Sequence, residues 1–418
     1  MTPPAPTLRR TGGAEAHPPR PDPLTVLLVH NAYQEPGGED GVFEREGAIL
    51  EERGHRVLRY QTHNDDVEGM GRAALAARTV WSRESAAEVG RLVRQHGVDV
   101  AHVHNTLPLI SPAVFQAARG AGAATVHTLH NYRMVCPGNL LLRDGELCHD
   151  CVGKAFAAPA VAHRCYRGSV AATAAVAATT AIHRALGTWE RHVDRYVALS
   201  AFGREIFVRG GLPADRVVVK HNLPPKEPAL TTGGDYALFA GRLAEGKGLE
   251  VLLEAWAGAP DLPVLCVAGD GPLSHLVAQA TAENPRVRWL GWQPAAELEA
   301  LMAGAACLVA PSMWYEGWPL VAVEAMGHGT PVVATDHGAF PEMIDDGETG
   351  RLFPRGDAAA LARAVRELTG DAVQMQAVRA NTHQAFARRF SREVGYRQLL
   401  DVYAAAIAQR QAEPAASG

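Results

Sequence analysis

The sequence predicts an α/β fold of two doubly wound, Rossmann-like domains facing each other across a cleft. Three observations carry this. Short apolar runs rich in Val and Leu alternate with amphipathic stretches of helical period, as expected for strands buried on both faces of a parallel sheet. The alternation stops at a linker-like stretch, residues 222–234 (NLPPKEPALTTGG), and then restarts. The chain has 418 residues, 47% hydrophobic and 20% charged, which is ample material for two cores.

The elements are expected in this order. Leu24 to His30 (LTVLLVH) is the first strand, and residues 41–53 follow as a helix with Val42, Phe43, Ile49 and Leu50 on its apolar stripe. Strands follow at 55–60, 98–104 and 124–130, with helices at 85–96 and 112–119 between them. A cysteine-bearing insertion, Cys136 to Cys165, comes next. It is followed by a helix over 169–186 and strands at 194–200 and 216–220. Beyond the linker, strands are expected at 236–240, 262–268, 287–290, 306–311 and 331–335. Helices are expected at 248–257, 273–282, 297–304, 320–327 and 358–368, with a last helix over 391–408 that packs back across the cleft. The expected domains are therefore a Pro-rich, disordered tail (1–23), a first domain (24–222, insertion 136–165), a second domain (223–390) and a returning helix (391–410).

Composition excludes several classes. A net charge of −5 without a basic run lacks the footprint of a nucleic-acid binder. No run of about 18 strongly apolar residues predicts a spanning helix. The Ala- and Thr-rich stretch Val170 to Ile182 reads instead as a buried or interfacial helix. The first 23 residues hold seven prolines and no apolar core of a leader. With six unevenly spaced cysteines, this points to a reducing cytoplasm.

Four segments carry chemistry. In Pro311 to Glu342, a helix is expected to start at Pro319, so Glu316 lies in the preceding loop and Glu324 in the second turn. The free N–H groups of Gly317, Trp318 and the helix start after Pro319, from Leu320 on, would favour an anion, and the carboxylates would accept hydrogen bonds from sugar hydroxyls. In Ala240 to Gly248 (AGRLAEGKG), Arg242 and Lys247 stand in a glycine-rich loop at a strand end, where two cations could hold a diphosphate without a metal. Gly37 and Gly38 follow the first strand and would let backbone approach a ligand, although a plain tight turn fits as well. There is no G-x-G-x-x-G fingerprint, so no dinucleotide cofactor is expected. His30, His104 and His130 end three strands and would form a polar rim. Trp289 and Trp292 are read mainly as core, with stacking on a donor base as the alternative.

Together these residues resemble family 4 glycosyltransferases of the GT-B fold. The resemblance rests on Glu316-x7-Glu324, the GRL…KG loop with Arg242 and Lys247, the Gly37-Gly38 loop, TLHNYR at 128–133 and ALSAFGREIF at 198–207. It implies a retaining transfer of sugar from a nucleotide-sugar donor (UDP-, GDP- or ADP-type) to a glycan or lipid-linked acceptor in polysaccharide or cell-envelope biosynthesis. It also implies peripheral contact with the inner face of the membrane. Carried over, Arg242 and Lys247 would contact the diphosphate, with Gly38 nearby. Glu324 would hold the ribose. Glu316 and the backbone of residues 317–320 would contact sugar and phosphate. His130 would lie near the reacting sugar, and His104 is a weaker cleft candidate. No Asp-x-Asp occurs in the chain, so no catalytic metal is expected. The rival readings are a nucleotide-sugar epimerase of the same fold and a non-catalytic sugar-nucleotide-binding module. The donor, acceptor, linkage and oligomeric state are not legible in these residues.

Cys136, Cys148, Cys151 and Cys165 have spacings x11, x2 and x13, a plausible tetrahedral thiolate site for structural zinc, with His149 and His163 as alternative ligands. Reduced structural thiols, with or without one disulfide, are the other reading. Cys266 and Cys307 lie in apolar strands and are expected in the core.

Overall fold

The computed structural model describes residues 23–35 and 37–412. The expected N-terminal tail lies outside the described residues apart from Pro23. The first sheet contains β1 (Thr25–Ala32), β2 (Arg56–His63), β3 (Val100–Asn105) and β4 (Ala124–Leu129). A small hairpin, β5 (Leu142–Arg143) and β6 (Glu146–Leu147), interrupts the series before β7 (Arg195–Ala198) and β8 (Val217–Val219) complete it. The second sheet contains β9 (Tyr236–Ala240), β10 (Val264–Ala268), β11 (Val287–Gly291), β12 (Cys307–Ala310), β13 (Val332–Thr335) and β14 (Gly350–Phe353). The spatial orders are β2-β1-β3-β4-β7-β8 and β11-β10-β9-β12-β13-β14. Every adjacent pair in both sheets is parallel.

Burial on both faces explains the continuous apolar runs. Residues of β1 alternate between two clusters: Leu27 and Val29 pack on one side with Phe115 and Val103, and Val26 and Leu28 pack on the other with Phe43 and Leu399. That second face is covered by the long helix Arg392–Ala412, which follows the second sheet in sequence. It buries Tyr396, Leu399, Val402, Tyr403 and Ala406 against the first sheet. Each large apolar side chain so buried contributes about 1.5–3 kcal/mol of transfer free energy.

Several elements were not foreseen. The edge strand β14 is four residues long and follows a turn-rich segment, so it has no pattern of its own. The helix Ala372–Arg389 is half polar, with no strong apolar stripe, and packs through a few residues such as Val378 and Phe386. Trp289 and Trp292 are corrected: β11 is an edge strand, and Trp292 is 71% exposed. Cys266 and Cys307 are buried, as read.

Candidate functional site

The carboxyl ends of the two sheets face each other across a cavity of about 370 Å³. Strand order reverses between β1 and β3 in one sheet and between β9 and β12 in the other, and such switch points open a crevice at the strand ends. Residues just beyond these strands wall the cavity: Gly38 and Glu39 after β1, Gly241 after β9, and Ser312 after β12.

The second-domain wall centres on an ion pair. Lys247 Nζ lies 2.8 Å from Glu316 Oε1, and Ser312 Oγ donates to the same oxygen at 2.7 Å. Burial pushes the Glu316 carboxyl up, but Lys247 together with hydrogen bonds from Ser312 and Trp314 outweighs it, and the group stays below its ordinary range. Glycine is required for this placement. Gly248 has φ +74°, and a Cβ there would stand 1.9 Å from the Pro311 carbonyl. The loop can therefore lie against β12 and aim Lys247 inward, with the ammonium 5.0 Å above the Trp314 ring.

Two helix N-termini meet at the cavity. The helix Leu320–Gly327 starts beside Gly317, Trp318 and Pro319, all on the wall. The helix Gly38–Glu52 starts opposite it, and a Cβ on Gly38 would lie 3.8 Å from Leu320 Cδ1. Both dipoles direct partial positive charge and free N–H groups to one place, an environment suited to an anion. The Trp318 ring itself is buried and stacks on His221 at 3.9 Å.

On the first-domain wall, His130 lies at the end of β4 with Nε2 3.0 Å from Nδ1 of His104. Burial lowers the His130 pKa to about 3 and holds His104 well below its ordinary value, so both rings are neutral near pH 7. His30 turns away from this pair, with Nε2 2.8 Å from Asp40 Oδ1. Glu39 accepts from Asn131 at 2.6 Å and from the Tyr33 hydroxyl at 2.9 Å.

The structure thus brings Gly38, His130, Lys247, Glu316 and residues 317–320 to one cavity. It does not bring Arg242 there. That side chain is 65% exposed and sits 3.7 Å from Glu35 of the first domain. Glu324 is one turn deeper in its helix and half-buried, with its carboxyl pushed up by burial and opposed by Arg45. His104 is behind His130 rather than on this wall. Sequence reasoning passed over Arg45, Glu46, Ser312 and Lys220. Glu46 had a readable signal, because it interrupts the apolar stripe of Val42, Phe43, Ile49 and Leu50 at helical spacing.

The four insertion cysteines are free thiols. The Cys136 sulfur accepts backbone hydrogen bonds from Gly138, Asn139 and Leu141. Among the described residues, Glu46, His102 and His104 are the group whose three ligand atoms lie within 4.8 Å of one another. The cysteine sulfurs are set more widely. The insertion also reaches the second domain: Arg355 bonds the Gly145 carbonyl and Glu146, and the His149 ring stands edge-on to Tyr315 at 5.5 Å.

Comparison with known proteins agrees with this fold. The chain is similar over 91% of its length to the crystal structure of Anabaena HepE in complex with UDP, with TM-score 0.63, 18% identity and all of that chain covered. It is similar over 92% to sucrose-phosphate synthase from Thermosynechococcus elongatus, with TM-score 0.66, 18% identity and 99% of that chain covered. The fold is GT-B. Residues 234–371 match the family described as Glycosyl transferases group 1. The chain is 39% identical over 175 residues to phosphatidyl-myo-inositol mannosyltransferase of Mycobacterium leprae, covering 41% of this chain and 46% of that protein. It is 35% identical over 182 residues to D-inositol 3-phosphate glycosyltransferase of Corynebacterium kroppenstedtii, covering 40% of each. It is 30% identical over 179 residues to the amylovoran biosynthesis glycosyltransferase AmsK of Erwinia amylovora, covering 40% and 43%. In all three the chain spans under half of the relative's length.

Proposed function

We propose that this GT-B chain is a retaining glycosyltransferase that moves a sugar from a nucleotide-sugar donor to a glycan or lipid-linked acceptor in polysaccharide or cell-envelope biosynthesis. The observation that carries the reading is the Lys247–Glu316 pair beside the Leu320–Gly327 N-terminus, inside the interdomain cavity. The family match over 234–371 and the names of the relatives support it. Since the Anabaena neighbour holds UDP, UDP-sugars are the first donors to try.

In this reading, breaking the bond between the anomeric carbon and the diphosphate leaves negative charge on phosphate oxygen. Lys247 and the N–H groups of Gly317, Trp318 and Leu320 stabilise that charge, so no metal is assigned at the reaction centre. The acceptor hydroxyl oxygen forms the new bond on the same face, and its proton passes to the departing phosphate oxygen. Glu316 orients sugar hydroxyls and Glu324 holds the ribose. Arg242 would reach the diphosphate only by leaving Glu35.

Thermal shift against a panel of nucleotide sugars tests the donor assignment. A ligand at about 100 times its Kd stabilises by about 2.7 kcal/mol. The expected result is a shift with one nucleotide family that Lys247→Ala abolishes. Release of nucleotide only when an acceptor is added separates transfer from epimerisation, and no shift with any donor would remove the reading.

No helix among the described residues is long and apolar enough to cross a membrane. For a lipid-linked acceptor we propose peripheral contact through the first domain, where Val170, Ile182 and Leu186 are exposed on and just after one helix. We also propose that Cys136, Cys148, Cys151 and Cys165 hold a structural zinc ion. The three N–H groups at the Cys136 sulfur are the kind of outer support a metal-bound thiolate carries. Closing a tetrahedral site would draw the sulfurs to about 3.8 Å from one another.

A further inference from the structure

Behind His130 lies a group of buried polar side chains that the proposed reaction does not use. Lys220 Nζ lies 2.6 Å from Glu46 Oε1, and both side chains are essentially inaccessible. The other carboxylate oxygen, Oε2, has no hydrogen-bond partner. It is 3.6 Å from His104 Nε2, which is also buried without a partner. His102 Nδ1 stands 3.5 Å from the same oxygen, but it is engaged by the Tyr403 hydroxyl at 3.0 Å, and its Nε2 pairs with Thr128 Oγ1 at 2.7 Å.

These three ligand atoms lie close enough to suggest a metal site. The charges argue otherwise. The carboxylate is already neutralised by a buried ammonium, and both His102 nitrogens are occupied. A proton, not a dication, is what this pocket orders.

The single hydrogen between His104 Nδ1 and His130 Nε2 can be placed in two ways. If His104 donates, its Nε2 lone pair faces the Glu46 carboxylate, which is repulsive in a low-dielectric interior. If His130 donates, His104 must carry its own proton on Nε2, where the N–H points at the anion and is stabilised. We infer that the Lys220–Glu46 pair acts through His104 to hold His130 as the Nε2–H tautomer, leaving Nδ1 as a bare acceptor for a hydroxyl group in the cavity. His130 Nδ1 has no protein partner and is not one of the buried unpartnered atoms. Burial keeps both rings neutral, so the choice is between tautomers and not charge states. Glu46, Lys220 and His104 are positioning residues; only His130 would touch a ligand. The ligand class is a sugar or acceptor hydroxyl, which rests on the transferase reading, whereas the tautomer does not.

The test is long-range ¹H–¹⁵N correlation on the full chain labelled at histidine, with the His130 signals assigned by their loss in His130→Gln. The expected pattern is Nε2 protonated and Nδ1 unprotonated on His130, and the same on His104. A protonated Nδ1 on His130 overturns the proposal whether or not the protein transfers sugar. The paired variant Glu46→Gln with Lys220→Met removes both charges together, so no buried ion is left alone. It is expected to lose the His130 preference and to lower kcat about tenfold with KM little changed, the scale of one misplaced hydrogen bond. An unchanged His130 spectrum in that variant would show that the buried pair does not set the tautomer. Absence of transfer by the unaltered protein, with the tautomer as expected, would instead fault the transferase reading.

Discussion

The two walls of the cavity are built in opposite ways. The second-domain wall comes from two short contiguous runs, residues 240–248 and 311–324, and its central ion pair has a third partner in Ser312. The first-domain wall presents His130 from the end of β4 and is backed by His104 from β3, Glu46 from a helix and Lys220 from the end of β8, a backing that retains unpartnered buried atoms on Glu46 and His104. Where charges are paired within one loop system, removing a member should cost function first. Where they are paired across the fold, removing one should cost stability first.

Lys247→Ala tests the first half of this contrast and carries the largest effect. It should lower transfer by roughly 10²–10³-fold, the scale of losing one preorganised charge stabiliser, with the melting temperature little moved. A large fall in melting temperature would break the contrast. Glu46→Leu tests the second half. It leaves the Lys220 ammonium buried and unpaired, and should destabilise by about 3–5 kcal/mol in chemical denaturation.

Acid sensitivity sharpens the comparison, because the fully buried histidines held furthest below their ordinary value, His102, His104, His127 and His130, belong to the first domain. His102, His127 and His130 have pKa values lowered to about 3 by burial, and burial holds His104 well below its ordinary value. The unfolded chain takes up protons below about pH 6.5 while the folded core does not. Stability is therefore undiminished above pH 6.5 and is lost as pH falls from there toward 3. The expected slope reaches about 1.4 kcal/mol per pH unit for each histidine. Denaturation at pH 7.5, 6 and 5 checks this, and a flat profile would contradict the neutral core.

Glu324→Ala should weaken nucleotide-sugar binding by about 1–3 kcal/mol, read by calorimetry. Unchanged affinity would remove the ribose assignment. The smallest effect is expected at the insertion. Anaerobically prepared protein should contain one zinc per chain, and chelation should raise hydrogen exchange in residues 136–165 and in the Tyr315 loop that His149 touches, with little global change. Metal-free protein with four titratable thiols would end the zinc proposal.

Much of the second-domain wall was legible because its chemistry is local. Glycines at 246 and 248, a cation between them and a carboxylate before Pro319 can be read in one pass. The N-terminus of the Leu320–Gly327 helix lay where Pro319 predicted it. The setting of Arg242 was not legible, for the opposite reason. Its ion-pair partner, Glu35, belongs to the other domain. Glu46 looked like one more helix glutamate until the sheet placed Lys220 against it, 174 residues away in sequence.

The sequence by itself determined the alternation of strands and helices, the two parallel sheets and the location of the cavity-facing loops. Apolar runs, helical period and glycine-bearing loops act over a few residues, and strand–helix alternation permits few topologies. Tertiary structure alone decided that Tyr403 reaches back 301 residues to His102, that the last helix is buried on the first sheet, and that His104 and Glu46 stand in line behind His130. Those contacts depend on which strands become neighbours. A buried charge acquires a role only when the fold brings it a partner and excludes water.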